Sequence, residues 1–155
     1  MIAHEHEGAA GWRMLSQTGE YALRAVLHLA DRPNNEPVGA SDVAAQLELP
    51  ERYLARVLKA LAEAGVLTST RGAHGGFALA ADPADIRLAA VVAPFDAVGE
   101  RPQCLLSNRV CGEGRTCIAH SRWHRAARQV RDFFQETTVA ELIAEDPASS
   151  RHRHN

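Results

Sequence analysis

From Ser16 onward, Leu23, Val26, Leu27 and Ala30 fall at three- and four-residue spacing. That period predicts an amphipathic helix that stops before Pro33. Ser16 suits the N-cap, with Gly19 and Glu20 in the first turns. RPNNEPVG reads as a loop. Ser41 is expected to cap a short second helix, SDVAAQLEL, that turns Val43, Ala44 and Leu47 inward. Leu49-Pro50-Glu51 is a tight break, and Pro50 suits the first position of a third helix. The stripe of that helix is Leu54, Val57, Leu58 and Leu61, and Gly65 ends it as a C′ glycine.

The period then changes. Val66 to Thr70 is β-branched and predicts a strand. Arg71-Gly72-Ala73-His74-Gly75-Gly76 is a glycine-rich turn, and Phe77-Ala78-Leu79 is a returning strand. Two short helices across a tight turn, followed at once by a hairpin, make a winged helix-turn-helix. Asp82-Pro83 breaks the chain. Ile86 to Val92 predicts a short apolar helix leading to Phe95. A long helix follows from about Ile118 to Glu136. Its apolar positions are Trp123, Ala126, Ala127, Val130, Phe133 and Phe134, opposite Arg122, Arg125, Arg128 and Asp132. It has no partner of similar length in the chain, which suits dimerisation. Some packing back onto the first helix is expected too. Thr137 or Thr138 caps a last helix, VAELIAED, that ends at Pro147.

The expected fold is therefore mainly α with a small β-wing: a winged helix-turn-helix plus a long C-terminal dimerisation helix. Its divisions are a disordered extension over 1–13, a DNA-binding domain over 14–82, and a linker helix with a cysteine loop over 83–117. A dimerisation helix with a short terminal helix over 118–146 and a disordered tail over 147–155 complete it. Met14 is an alternative start.

Charge refines this picture. The 155 residues carry a formal net charge of −2, so the chain as a whole has no nucleic-acid signature. The positive charge is local. Arg52, Arg56 and Lys59, with Tyr53 among them, share a face of the third helix, and Arg71 and His74 sit on the wing. Such a helix can read base edges in the major groove of double-stranded DNA while the wing reaches phosphate or the minor groove. A merely solvated charged face is the plainer reading of the same residues. No apolar run approaches the roughly 20 residues of a membrane span. Residues 1–13 are polar and acidic, unlike a secretory signal. A cytoplasmic chain is expected, with reduced thiols. No phosphate-binding loop, acid–base pair or cofactor fingerprint suggests an enzyme or a small-molecule substrate.

The remaining chemistry is concentrated in CLLSNRVCGEGRTCIAH. Cys104, Cys111 and Cys117 are the only cysteines, with six and then five residues between them, and His120 follows at i+3. Ser107, Asn108, Gly112, Gly114 and Thr116 between them favour a loop. Three thiols in one loop suit metal or cluster binding, or a redox switch, and leave a four-ligand site one short.

LSQTGEYALRAVLHLA, YLARVLKALAEAGVLTSTRGAHGGFAL, the three cysteines ahead of a long helix, and the ending TVAELI together resemble the bacterial Rrf-type winged-helix regulators. These include the iron–sulfur regulators IscR, NsrR and RirA. The resemblance spans roughly Met14 to Asp146. It implies a homodimer whose DNA binding is controlled by an iron–sulfur cluster, 2Fe–2S or 4Fe–4S, sensing nitric oxide, redox state or iron and cluster supply. Cys104, Cys111 and Cys117 are the implied thiolate ligands. The fourth is His120 in the IscR pattern, or Glu20 reaching from the partner subunit in the NsrR pattern. His124 is a third choice, and His28 is structural. The family pattern has five residues in both cysteine intervals, so the first interval here is one longer. A zinc site or a cluster-free thiol switch on the same fold is the alternative.

Overall fold

The structure, a computed structural model, describes residues 14–98, 103–106, 109–111 and 117–145. The extension over 1–13, the terminal tail and Pro147 lie outside the described residues, as do Ser107, Asn108, Gly112, Gly114 and Thr116 of the cysteine loop. Helices α1 (Gln17–Ala30), α2 (Ala40–Leu47) and α3 (Glu51–Glu63) lead into strands β1 (Leu67–Thr70) and β2 (Gly76–Leu79). Helices α4 (Leu88–Val92), α5 (His120–Glu136) and α6 (Val139–Glu145) follow. This is the expected architecture, mainly helical with one two-stranded antiparallel sheet.

Helix α1 is the hub, packing against α2, α3, α4 and α6. Its Ser16 cap is as expected, with Oγ accepting from the Gly19 N–H at 3.1 Å. Its buried line is Gly19, Ala22, Ala25, Val26 and Leu29. Leu23, Leu27 and Ala30, three of the four residues expected to define the stripe, are only partly buried. With neighbours on several sides, the closest approaches fall on small residues, and the leucines fill the margins.

Two helix starts differ from expectation. Gly39, not Ser41, caps α2, and Pro50 is the N-cap of α3 rather than its first helical residue. The turn between them is closed by Glu48 in the left-handed conformation, φ 54°. The apolar stripe of α3 is as read: Leu54, Leu58 and Leu61 are fully buried and Val57 nearly so. At its C-terminus the Val66 N–H donates to Leu61 O at 3.0 Å and the Gly65 N–H to Ala62 O at 3.1 Å. This is a Schellman closure, which needs a left-handed residue, and Gly65 supplies it at φ 79°. The chain thus leaves α3 directly into the wing.

The wing pairs Leu67 with Leu79 and Thr70 with Gly76. Val38 adds a bridge to Phe77 through two bonds of 2.8 and 2.9 Å. A side chain on Gly76 would collide with the backbone of Val38, which fixes glycine there. Asn35 finishes the edge. Its Nδ2 donates to Leu79 O and its Oδ1 accepts from Leu79 N–H, both at 2.9 Å, as a neighbouring strand would. Asn35→Ala strands both groups of Leu79, so a loss of about 1–3 kcal/mol is expected in urea unfolding. A loss under about 0.5 kcal/mol would mean water replaces both bonds.

Helix α4 is shorter than expected. Ile86 and Arg87 are extended, and Arg87 bridges Thr138, with bonds from Leu88 N–H to Thr137 O and Val139 N–H to Ile86 O. This pins the α5–α6 junction onto the start of α4. Thr138 is the cap of α6: its N–H and hydroxyl both donate to Glu141, and the Glu141 N–H returns a bond of 3.2 Å. Those bonds hold the Glu141 carboxyl below its usual range. Helix α5 begins at His120, two residues later than expected, and packs on α4 rather than chiefly on α1. Only Phe134 of its apolar residues is buried.

Candidate metal centre and nucleic-acid interface

The cysteine loop is drawn together by short backbone contacts. The Cys104 N–H donates to Arg109 O at 2.7 Å, and Gln103 bridges Val110, so residues 103–104 pair antiparallel with 109–110. The His120 N–H donates to Cys117 O at 3.0 Å, setting the last thiol at the foot of α5. One turn into α5, Trp123 Nε1 donates to Gln103 O at 2.7 Å and ties the helix to this pairing.

These constraints bring the cysteines to the foot of α5. Cys104 Sγ lies 3.6 Å from Cys117 Sγ. Cys111 Sγ lies 3.2 Å from His120 Nδ1. Cys111 is buried, the other two half-buried. Burial, then the neighbouring Cys104 and Cys117, push the Cys111 thiol up from its ordinary value. Two donor pairs, Cys104 with Cys117 and Cys111 with His120, thus share one neighbourhood, and that soft donor set fits an iron–sulfur group.

His124, one turn beyond His120, joins the cluster: the ligand atoms of Cys111, His120 and His124 all lie within 4.8 Å of one another. Glu20 is exposed in the first turn of α1 and is not part of that group. His28 is half-buried. Desolvation first, then Arg32, lowers its pKa, which suits a neutral packing role.

On the reading face, Arg52, Arg56 and Lys59 are exposed along one side of α3, opposite its buried leucines. Lys59 makes only a loose, solvated ion pair with Glu63 at 3.9 Å. Arg71 and His74 are exposed on the wing. Tyr53 departs from the exposed face expected of it. It is half-buried, its hydroxyl makes a short hydrogen bond with that of Thr18, and its ring meets Tyr21 edge-on at 5.6 Å.

A second link was not visible in the sequence. Asp96, just after α4, accepts from the Ser16 N–H and hydroxyl at 3.0 Å each. It sits against Gly19, where a side chain would collide with it. Its only advance signal was an acidic residue of suitable length placed to meet a helix N-terminus. The stretch leading to the cysteines is thereby fastened to α1, and α1 to α3 through Thr18 and Tyr53.

No described helix is long and apolar enough to cross a membrane. Residues 15–145 match the Rrf2 family model, described as iron-dependent transcriptional regulators. The chain is 29% identical to the HTH-type transcriptional regulator IscR of Vibrio vulnificus over 132 residues, covering 85% of this chain and 78% of that protein. Its fold is similar to that of T. potens IscR, with a TM-score of 0.69 and 25% identity over 89% of this chain and 90% of the other. It is also similar to CymR, the global cysteine regulator of B. subtilis. There the TM-score is 0.74 and the identity 24%, over 86% of this chain and 98% of the other. The chain belongs to the Rrf2 family of transcriptional regulators.

Proposed function

We propose that this chain is a homodimeric, DNA-binding regulator whose operator binding is set by an iron–sulfur cluster held by Cys104, Cys111, Cys117 and His120. The observation that carries the reading is the pairing of Cys104 with Cys117 and of Cys111 with His120 at the foot of α5. When bound, such a cluster supplies an iron–sulfide core that reacts with nitric oxide or oxidants and reports iron supply. Imidazole is the more weakly held ligand, which suits a site meant to be emptied. Glu20, exposed in the first turn of α1, is kept as the competing fourth ligand, reaching from a partner subunit.

The chain's own residues supply the coupling. Through its bond to Gln103, Trp123 ties the cysteine segment to the pose of α5. The same segment continues back to Asp96, which grips the N-terminus of α1. Helix α1 in turn holds α3 through Thr18 and Tyr53. Large apolar side chains beside the loop and along α5 remain open: Ile118 fully, Leu106 at 63% and Phe133 at 48%. A second copy covering them sets the spacing of two α3 helices against half-sites one DNA turn apart.

The test is anaerobic purification followed by Mössbauer or resonance Raman spectroscopy of wild type, His120→Ala and Glu20→Ala. A brown protein whose spectrum changes only in His120→Ala supports the assignment. A protein that stays colourless after anaerobic reconstitution with iron and sulfide sinks it. Arg56→Ala should weaken binding to DNA from the chain's own promoter region by about 1–3 kcal/mol if the side chain reads a base. If it meets phosphate, the salt slope should fall by about one unit instead. No change in either quantity removes α3 as the reading helix.

The 3.6 Å separation of Cys104 and Cys117 favours one further reading, a cluster-free thiol switch. Those two sulfurs can close a disulfide with little movement. Mass spectrometry of diamide-treated, iron-free protein distinguishes it: a Cys104–Cys117 link that alters DNA binding supports the switch.

A further inference from the structure

We infer that Cys111, His120 and His124 form an alternative site for a single divalent cation of zinc's class, taken up when the thiols hold no cluster. His120 and His124 lie one helical turn apart on α5, with rings stacked 5.5 Å between centroids and 22° between planes. Histidines at i and i+4 offer nitrogens on one helix face, the spacing by which helices chelate zinc. Cys111 Sγ is already 3.2 Å from His120 Nδ1. The three donor atoms fall within 4.8 Å of one another.

A second observation points the same way. Nδ1 of His124 is buried and has no hydrogen-bond partner among the described residues. A buried imidazole nitrogen without a partner is costly, and a cation would satisfy it. One thiolate and two imidazoles are a zinc-type donor set, with a fourth position left to water. On binding, the Cys111 thiol loses its proton to solvent and the thiolate takes the metal. This site shares Cys111 and His120 with the proposed cluster, so the two occupants exclude each other. His124 belongs to the cation site alone.

The experiment is an anaerobic titration of the cluster-free chain with Co2+, followed by displacement with Zn2+. Expected are one equivalent bound, visible bands of a tetrahedral ion, and thiolate-to-cobalt charge transfer that Cys111→Ala abolishes. Even outer partners of a metal site are worth about 10–100-fold in affinity. His124→Ala and His124→Gln should therefore each weaken Co2+ by at least about 100-fold. His124→Cys should restore binding with stronger charge transfer. Melting in the presence of chelator should be the same for wild type and the His124 variants, which separates lost binding from lost fold. All His124 variants should still take up a cluster from iron and sulfide. Wild-type Co2+ affinity in His124→Gln, or charge transfer that survives Cys111→Ala, overturns the inference. The titration is read on cluster-free chain, so it stands or falls independently of the cluster assignment.

Discussion

Leu58→Ala should destabilise the folded chain by about 2–5 kcal/mol. The side chain is fully buried on the α3 stripe, beside Leu54 and Leu61. Helix α3 is held by α1, α2 and β1 at once, so no single neighbour can move in to close the space without losing another contact. The loss should therefore sit toward the high end, where cavities stay open. Thermal unfolding should shift down on the order of 10 °C for a chain of this size. DNA binding should fall with it, because the reading arginines share the helix. A cost under about 1 kcal/mol in urea would show that the α1–α3 contact relaxes around the gap.

The second large effect is expected at Cys111. Cys111→Ala should reduce iron and acid-labile sulfide to background while leaving the helical circular dichroism unchanged. Cys111 is the buried thiol of the three and the one in contact with His120, so its loss separates the imidazole from the other sulfurs. The fold should survive because the loop packs on α5 through Trp123 and Gln103 rather than through the thiols. The raised pKa of Cys111 adds a check on the cluster-free protein. Its sulfur stays protonated to higher pH than an ordinary thiol, so iodoacetamide should label it more slowly than a free cysteine near neutrality. Full retention of iron in Cys111→Ala would remove it from the ligand set.

Much of this architecture could be read from one dimension. The wing was announced by β-branched residues around a glycine turn. The end of α3 was announced by Gly65, and the start of α1 by Ser16. Each is a local rule, decided by groups a few residues apart. What escaped was decided by tertiary contact. The buried face of α1 is built from Gly19, Ala22 and Ala25, whose value comes from how closely other helices approach. Asn35 and Asp96 looked like loop residues, and each instead completes hydrogen bonds of a partner 44 or 80 positions away. Tyr53 looked like part of an exposed face because Thr18 and Tyr21, which hold it, lie on another helix. At the candidate site, the thiols and His120 were legible because a short loop forces them together. His124 was legible only as a third choice of ligand, and its contact with Cys111 was not. It depends on where α5 begins and which way that helix turns toward Cys111.

The contact of Asp96 with Gly19 has a consequence for how this chain can vary. The two positions are 77 residues apart in sequence, yet the carboxylate occupies the space that any side chain at position 19 would need. A larger residue at 19 requires the Asp96 carboxylate to swing aside, and that movement gives up its grip on Ser16. The glycine of the TGEY stretch is therefore a record of packing against Asp96.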